Sequence, residues 1–150
     1  MSSLKVNKHS ILIKAGFQPA LLEIIRWGES PWWPANSLMR FNRQDKSPVQ
    51  KGTRYRQLVL FPFAPSWDVE VTSITGSSIT RRFLNGMFYG EETVSLRIEK
   101  DGVIVDYVMN CAVRGFSNKI LWALIFRRLH DSNIEAILAH LKNFLEKRET

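Results

Sequence analysis

One cysteine, Cys111, stands in 150 residues, which rules out an intrachain disulfide and fits a reducing, cytoplasmic setting. Long apolar runs are missing too. The longest, Ile120 to Phe126, falls far short of the roughly 20 residues a membrane-spanning helix needs. The opening Met1-Ser-Ser-Leu-Lys-Val-Asn-Lys8 lacks the apolar core of a signal peptide. There is no glycine-rich phosphate loop, no nucleophile elbow and no Cys/His metal spacing, and the three histidines, His9, His130 and His140, lie far apart in the chain. No metal and no cofactor is expected on these grounds.

What the chain has in excess is positive charge, a formal net +7. The cations are scattered: Lys5, Lys8 and Lys14; Arg40, Arg43, Lys46, Lys51, Arg54 and Arg56; Arg81 and Arg82; Arg127 and Arg128. Nucleic acid favours such a balance, but no zinc finger, helix-turn-helix or RNA-binding sheet motif accompanies it, so nucleic acid is not the expected partner. The plain reading is a basic soluble surface; peripheral contact with an anionic membrane is the alternative. At this length one domain, residues 1–150, is expected, with enough chain for a real core.

The stretch from Ser117 to Arg148 organises the rest. Neither proline nor glycine interrupts it, and Ile134, Ile137, Leu138, Leu141 and Leu145 recur at helical spacing. Carrying that face backwards gives His130, Arg127, Ala123, Ile120 and Phe116, while Leu121, Trp122, Ile125 and Leu129 are apolar on other sides. The first half is therefore covered on more than one side. A change of face near Arg127 to Asp131 points to a bend there or to a different neighbour for each half, with the second half on a sheet and the first half roofing something apolar.

Upstream, His9–Lys14 reads as a strand, and Gln18–Trp27 as a short helix with Pro19 in its first turn. Ser30 and Pro31 suit the start of a second short helix carrying Trp32 and Trp33. Six strands follow: Leu38–Gln44, Thr53–Phe61 (closed by Pro62 and Pro65), Trp67–Thr75, Ile79–Leu84, Phe88–Glu99 and Val103–Val113. Asn85-Gly86 and Asp101-Gly102 mark hairpins. The expected class is α+β in β-α-α-β6-α order: about seven antiparallel strands curved around one long C-terminal helix.

That order resembles the helix-grip superfamily of START lipid-transfer domains, plant pollen allergens and polyketide cyclases/dehydrases (SRPBCC). The likeness runs from about His9 to Glu146. It rests on Trp27 with Trp32-Trp33, on Gly52-Thr-Arg54, on Gly86-Met-Phe-Tyr-Gly90 and on Leu141-Lys-Asn-Phe-Leu145, and is nearest to the polyketide cyclase/dehydrase-like branch. Val94 and Val103 stand where that branch often has tryptophan and threonine. The resemblance implies an apolar cavity between sheet and last helix, and no particular reaction.

Candidate ligand contacts are Trp33, Phe41, Trp67, Val69, Phe83, Phe88, Val94, Tyr107, Met109, Leu121, Leu124 and Ile125. The partner so implied is a small hydrophobic molecule: a lipid, polyketide or aromatic. Glu92 shares the inward parity of Val94 and Leu96, and Tyr107 that of Val105 and Met109; His130 projects toward the sheet. In an apolar cavity these three are candidates for acid/base work, as in a cyclase or dehydratase. The simpler reading makes His130 structural and pairs Glu92 with Arg81 or Arg82 at the rim. A third reading is a protein-interaction module that uses exposed apolar residues of the last helix or Trp32-Trp33. Arg40, Arg54 and Arg56 are either solvated strand charges or a greeting for an anionic head group.

Overall fold

The computed structural model describes residues 4–29, 31–60 and 66–148. Alternation dictates its sheet. β1 (Lys5–Ile13) is followed by helix α1 (Phe17–Ile25), then β2 (Met39–Arg43), β3 (Arg54–Val59), β4 (Trp67–Ile74), β5 (Ser78–Phe83), β6 (Phe88–Glu99) and β7 (Gly102–Val113). The strands form one antiparallel sheet in the order β1-β7-β6-β5-β4-β3-β2. β6 and β7 are its longest pair, running from Phe88 opposite Val113 to Glu99 opposite Gly102. Gly90 lies within that pair at φ +122°, and a Cβ there would come within 2.2 Å of the Asn110 carbonyl oxygen, so only glycine fits.

One face of the sheet is dry. Val69 and Val71 of β4, Val94 and Leu96 of β6, and Val103, Val105, Tyr107 and Met109 of β7 are all buried there. The last helix closes over this face. It begins as α2 (Phe116–Leu121), passes through a single π-turn (Trp122–Phe126) and continues as α3 (Arg127–Arg148). Ile134, Ile137, Leu138, Leu141 and Leu145 of α3 are each at most 2% exposed, the stripe its period requires. α3 packs on β1, and α1 rests against β5 and β6.

Three expectations change. The break in the last helix is a π-turn that ends just before Arg127, one turn earlier than expected. β1 reaches back to Lys5, because pairing with β7 (Lys5 opposite Cys111) carries it past its β-branched centre. No second short helix forms among the described residues: Trp32 and Trp33 sit in turns. Pro34 biases Trp33 away from helical backbone, and so short a piece cannot nucleate a helix. Side-chain anchors hold the pair instead, the Trp32 indole N–H donating to Glu23 (2.7 Å) and that of Trp33 to the Met39 carbonyl (3.0 Å). Ser30, Phe61, Pro62 and Pro65 lie outside the described residues.

Candidate functional site

Strand parity turns Glu92 (β6) and Tyr107 (β7) onto the covered face, and the turn after Phe126 brings His130 down above them. The three meet on one oxygen. The Tyr107 hydroxyl donates to Glu92 Oε2 at 2.8 Å and lies 3.2 Å from His130 Nε2. With its own proton on Glu92, Tyr107 accepts from Nε2–H, which leaves His130 Nδ1 as an acceptor. Trp27 stacks on the Tyr107 ring, with centroids 5.9 Å apart.

Burial sets the electrostatics. It raises the Glu92 pKa, against the opposing pull of the Arg81 charge and the Tyr107 hydrogen bond. It pushes Tyr107 well above the ordinary phenol range, helped by the Glu92 charge. It lowers His130 to about 4, against the attraction of Asp131. Burial alone would raise Asp131, but hydrogen bonds from Asn7 and His9 bring it down.

Glu92, Tyr107 and His130 border a cavity of about 50 Å³ between the sheet and the last helix, whose other walls include Trp67, Phe83, Phe88, Met109, Trp122 and Phe126. This holds about three or four waters. Asn133 closes one side. Its Oδ1 accepts from the Leu38 N–H (3.1 Å) and the Ser37 hydroxyl (3.2 Å), which fixes the amide with Nδ2 as its free end. Glu92 Oε1, His130 Nδ1 and Asn133 Nδ2 are buried without a hydrogen-bond partner among the described residues. A second recess, a cleft of about 670 Å³, lies between β1, the end of β7 and the helix. Trp122 borders both spaces, edge-on to Phe88 with centroids 5.0 Å apart.

Solved structures match this arrangement along nearly the whole chain. A di-domain aromatase/cyclase, StfQ of the steffimycin biosynthetic pathway, superimposes with a TM-score of 0.73 at 13% identity over 98% of this chain; the chain spans 52% of that protein. Norcoclaurine synthase of Thalictrum flavum gives 0.72 at 14% identity over 100% of both chains. A START superfamily protein of Mycobacterium smegmatis gives 0.67 at 10% identity over 95% of this chain and 97% of that one. The chain has the START-like helix-grip fold. No family model and no curated protein matches it in sequence.

Within this helix-grip cavity the expected residues separate into three groups. Trp67, Phe83, Phe88, Tyr107 and Met109 line it. Trp33, Phe41, Val69 and Val94 are buried in the core outside its lining. Leu121, Leu124 and Ile125 face outward, 40%, 69% and 43% exposed. Trp122, Phe126, Leu129 and Asn133 take the roof in their place. For Trp122 and Phe126 the π-turn is the reason. It inserts one extra residue, which rotates everything upstream by about 100°. Trp122 and Phe126 thereby occupy the positions where an uninterrupted helix would put Ala123 and Arg127. Alanine at Leu121, Leu124 and Ile125 together is therefore expected to change stability little, each within about 0.5 kcal/mol. Alanine at Trp122 and Phe126 is expected to cost several-fold more in thermal melts.

The expected Glu92–arginine pair is absent. Arg81 stands opposite Glu92 in register, yet its guanidinium lies over the Tyr55 and Phe41 rings (5.0 and 5.7 Å) and donates to the Trp27 carbonyl at 3.2 Å. Arg54 and Arg56 are held by Glu70 and Asp68, each at 3.1 Å, and Arg40 by the Pro34 and Ala35 carbonyls. His140 is exposed. Among the described residues no group of histidine, cysteine and carboxylate side chains is placed to hold a metal, and no helix is long and apolar enough to cross a membrane.

Proposed function

We propose that the protein binds a small, largely apolar ligand between the sheet and the last helix, with its polar group at the Glu92–His130–Asn133 end. Two unpartnered polar atoms on cavity-lining residues, Glu92 Oε1 and Asn133 Nδ2, carry this reading; His130 Nδ1 instead lies 3.7 Å from Asp131. A buried polar group without a partner costs about 1–3 kcal/mol, so the wall favours an occupant that supplies one. The cavity itself suits only a few heavy atoms. A larger ligand enters by displacing Trp122, which joins the cavity to the cleft beside it.

Native mass spectrometry of protein purified from its own host, set against its denatured mass, tests the reading. A discrete extra mass lost on denaturation is expected. The reading fails if there is no extra mass and no shift in melting temperature across lipids, aromatic polyketides and hydrophobic hormones.

Convergence on the Tyr107 hydroxyl favours a second reading, acid/base chemistry of a cyclase or dehydratase kind. His130, held neutral, is a base; Glu92, drawn toward its protonated form, is an acid; Tyr107 links the two. A ligand recovered from a Tyr107→Phe protein would then differ from the wild-type one, being heavier by one water where the step is a dehydration. Identical ligands at equal occupancy from both proteins would leave binding as the whole function.

A further inference from the structure

The first half of the last helix turns large apolar side chains to the solvent. Phe116, Ile120 and Leu124 are 79%, 43% and 69% exposed. They stand four residues apart, so they run in one line along the helix. Leu121 and Ile125 are exposed beside that line. Trp122 and Phe126 fill the side toward the cavity, so the five form a ridge turned away from it. Elsewhere large apolar residues are exposed singly, as Leu22 is on α1 and Ile98 on β6.

Cations flank the ridge. Lys119, Arg127 and Arg128 are exposed, and none has an ion pair or hydrogen bond among the described residues. Arg43, Arg54, Arg56 and Arg97 are by contrast each paired with a carboxylate. No acidic residue occurs between Asp106 and Asp131, so nothing along this half of the helix offsets the three charges. Asp131 itself is taken up by Asn7 and His9. Across the adjoining cleft β1 adds Lys5 and Val6, the latter 65% exposed, facing Lys119, Ala123 and Arg127. Two elements far apart in the chain thus carry one apolar and basic surface.

We infer that this face docks on an anionic lipid surface, with the ridge set between head groups and acyl chains and the cations at the phosphates. An apolar line bordered by lysine and arginine suits a helix lying in the plane of a membrane interface. Charge selects the occupant. A second copy of the chain would set Lys119, Arg127 and Arg128 against their own kind, with no carboxylate to meet them. An anionic bilayer meets all three and takes a convex ridge without needing a matching groove. Among the described residues no helix is long and apolar enough to cross a membrane, so the contact is peripheral. Docking does not depend on what occupies the cavity.

Co-sedimentation with vesicles of phosphatidylcholine, alone or mixed with phosphatidylglycerol, tests the inference. Binding to the mixed vesicles is expected to exceed that to the neutral ones roughly tenfold or more at low salt, and to fall as salt rises. Leu121→Ala, Leu124→Ala and Ile125→Ala together keep every charge and are expected to weaken binding to the mixed vesicles roughly tenfold. Arg127→Gln with Arg128→Gln keeps the ridge and is expected to bring that binding close to the neutral level. Thermal melts establish that both exposed variants are folded. Absence of binding to the mixed vesicles would overturn the inference. So would unchanged binding of the triple alanine variant, since the net charge of +7 would then act without the ridge. A dimer in sedimentation velocity that the triple variant abolishes would give the ridge to a second copy and overturn it as well. Each of these results leaves cavity binding to the native mass measurement.

Discussion

Deleting Leu124 is expected to leave the protein folded, whereas deleting Ala136, another exposed residue of the last helix, is expected to unfold it. An α-helix turns about 100° per residue, so removing one residue rotates everything on one side of the cut. In α3 nothing absorbs the rotation. Taking out Ala136 would swing Ile137, Leu138, Leu141 and Leu145 off the sheet relative to Ile134. All five are buried, and each is worth about 1.5–3 kcal/mol. Losing four of them removes about 6–12 kcal/mol, as much as a domain's whole stability. The π-turn at Trp122–Phe126 already holds one residue more than an α-helix needs. Removing Leu124, which is 69% exposed, returns the segment to α-helix with Trp122 and the residues after Phe126 on the faces they now occupy. Circular dichroism melts decide. A Leu124 deletion within a few degrees of wild type, beside an Ala136 deletion without a cooperative transition, is the expected pair. Collapse of both would show that Trp122 and Phe126 are not held inward by an inserted residue.

The same turn marks the limit of what could be read from the residues. Glu92 and Tyr107 were legible because a strand has period two and Val94, Leu96, Val105 and Met109 fix its parity. His130 was legible because it lies downstream of the π-turn, in α3 itself, one helical turn before Ile134. Upstream of it a period of 3.6 points to the wrong residues, since nothing in Trp-Ala-Leu-Ile-Phe announces an extra one. Leu121, Leu124 and Ile125 were expected in the roof because this half of the helix is apolar on several sides, a pattern that does not fix which side faces the sheet. Asn133 escaped notice because its role depends on Ser37 and Leu38, which lie about 95 residues away in the chain. Arg81 misled for a related reason. Cross-strand register suggests a pair with Glu92, but the rings of Phe41 and Tyr55, contributed by β2 and β3, take the guanidinium instead. The resemblance to the helix-grip superfamily captured the fold, because strand order and the position of the last helix survive where side chains at the site do not.

His130→Phe is expected to abolish much of the loss of stability that the wild-type protein shows between pH 7.5 and 4.5. In the fold, burial holds the His130 pKa at about 4, against 6.5 for a free imidazole. The unfolded chain therefore takes up a proton near pH 6.5 that the folded chain refuses until about pH 4. Stability is full above 6.5 and falls as the pH drops from there to about 4. By pH 4.5 this amounts to about 2–3 kcal/mol. Four charged or titratable groups surround the ring, the Tyr107 hydroxyl at 3.2 Å from Nε2 being one. Asp131 favours the imidazolium, at 3.7 Å from Nδ1; His9 opposes it; and Glu92 lies beyond the Tyr107 hydroxyl. Glu92 works with the opposite sign. Its folded pKa is raised above 4.5, so its contribution is present below pH 4.5 and is lost as the pH rises through the folded value. The two residues thus separate in urea titrations at several pH values. His130→Phe should flatten the acid limb, and Glu92→Gln should flatten the decline on the other side. Phenylalanine keeps a ring against Trp122 and Tyr107, and any packing change is common to all pH values and drops out of the difference. Equal acid losses in wild type and His130→Phe would mean that the folded imidazole takes up its proton as readily as the unfolded one, near pH 6.5. The base assigned to the second functional reading would then not be one that burial holds neutral.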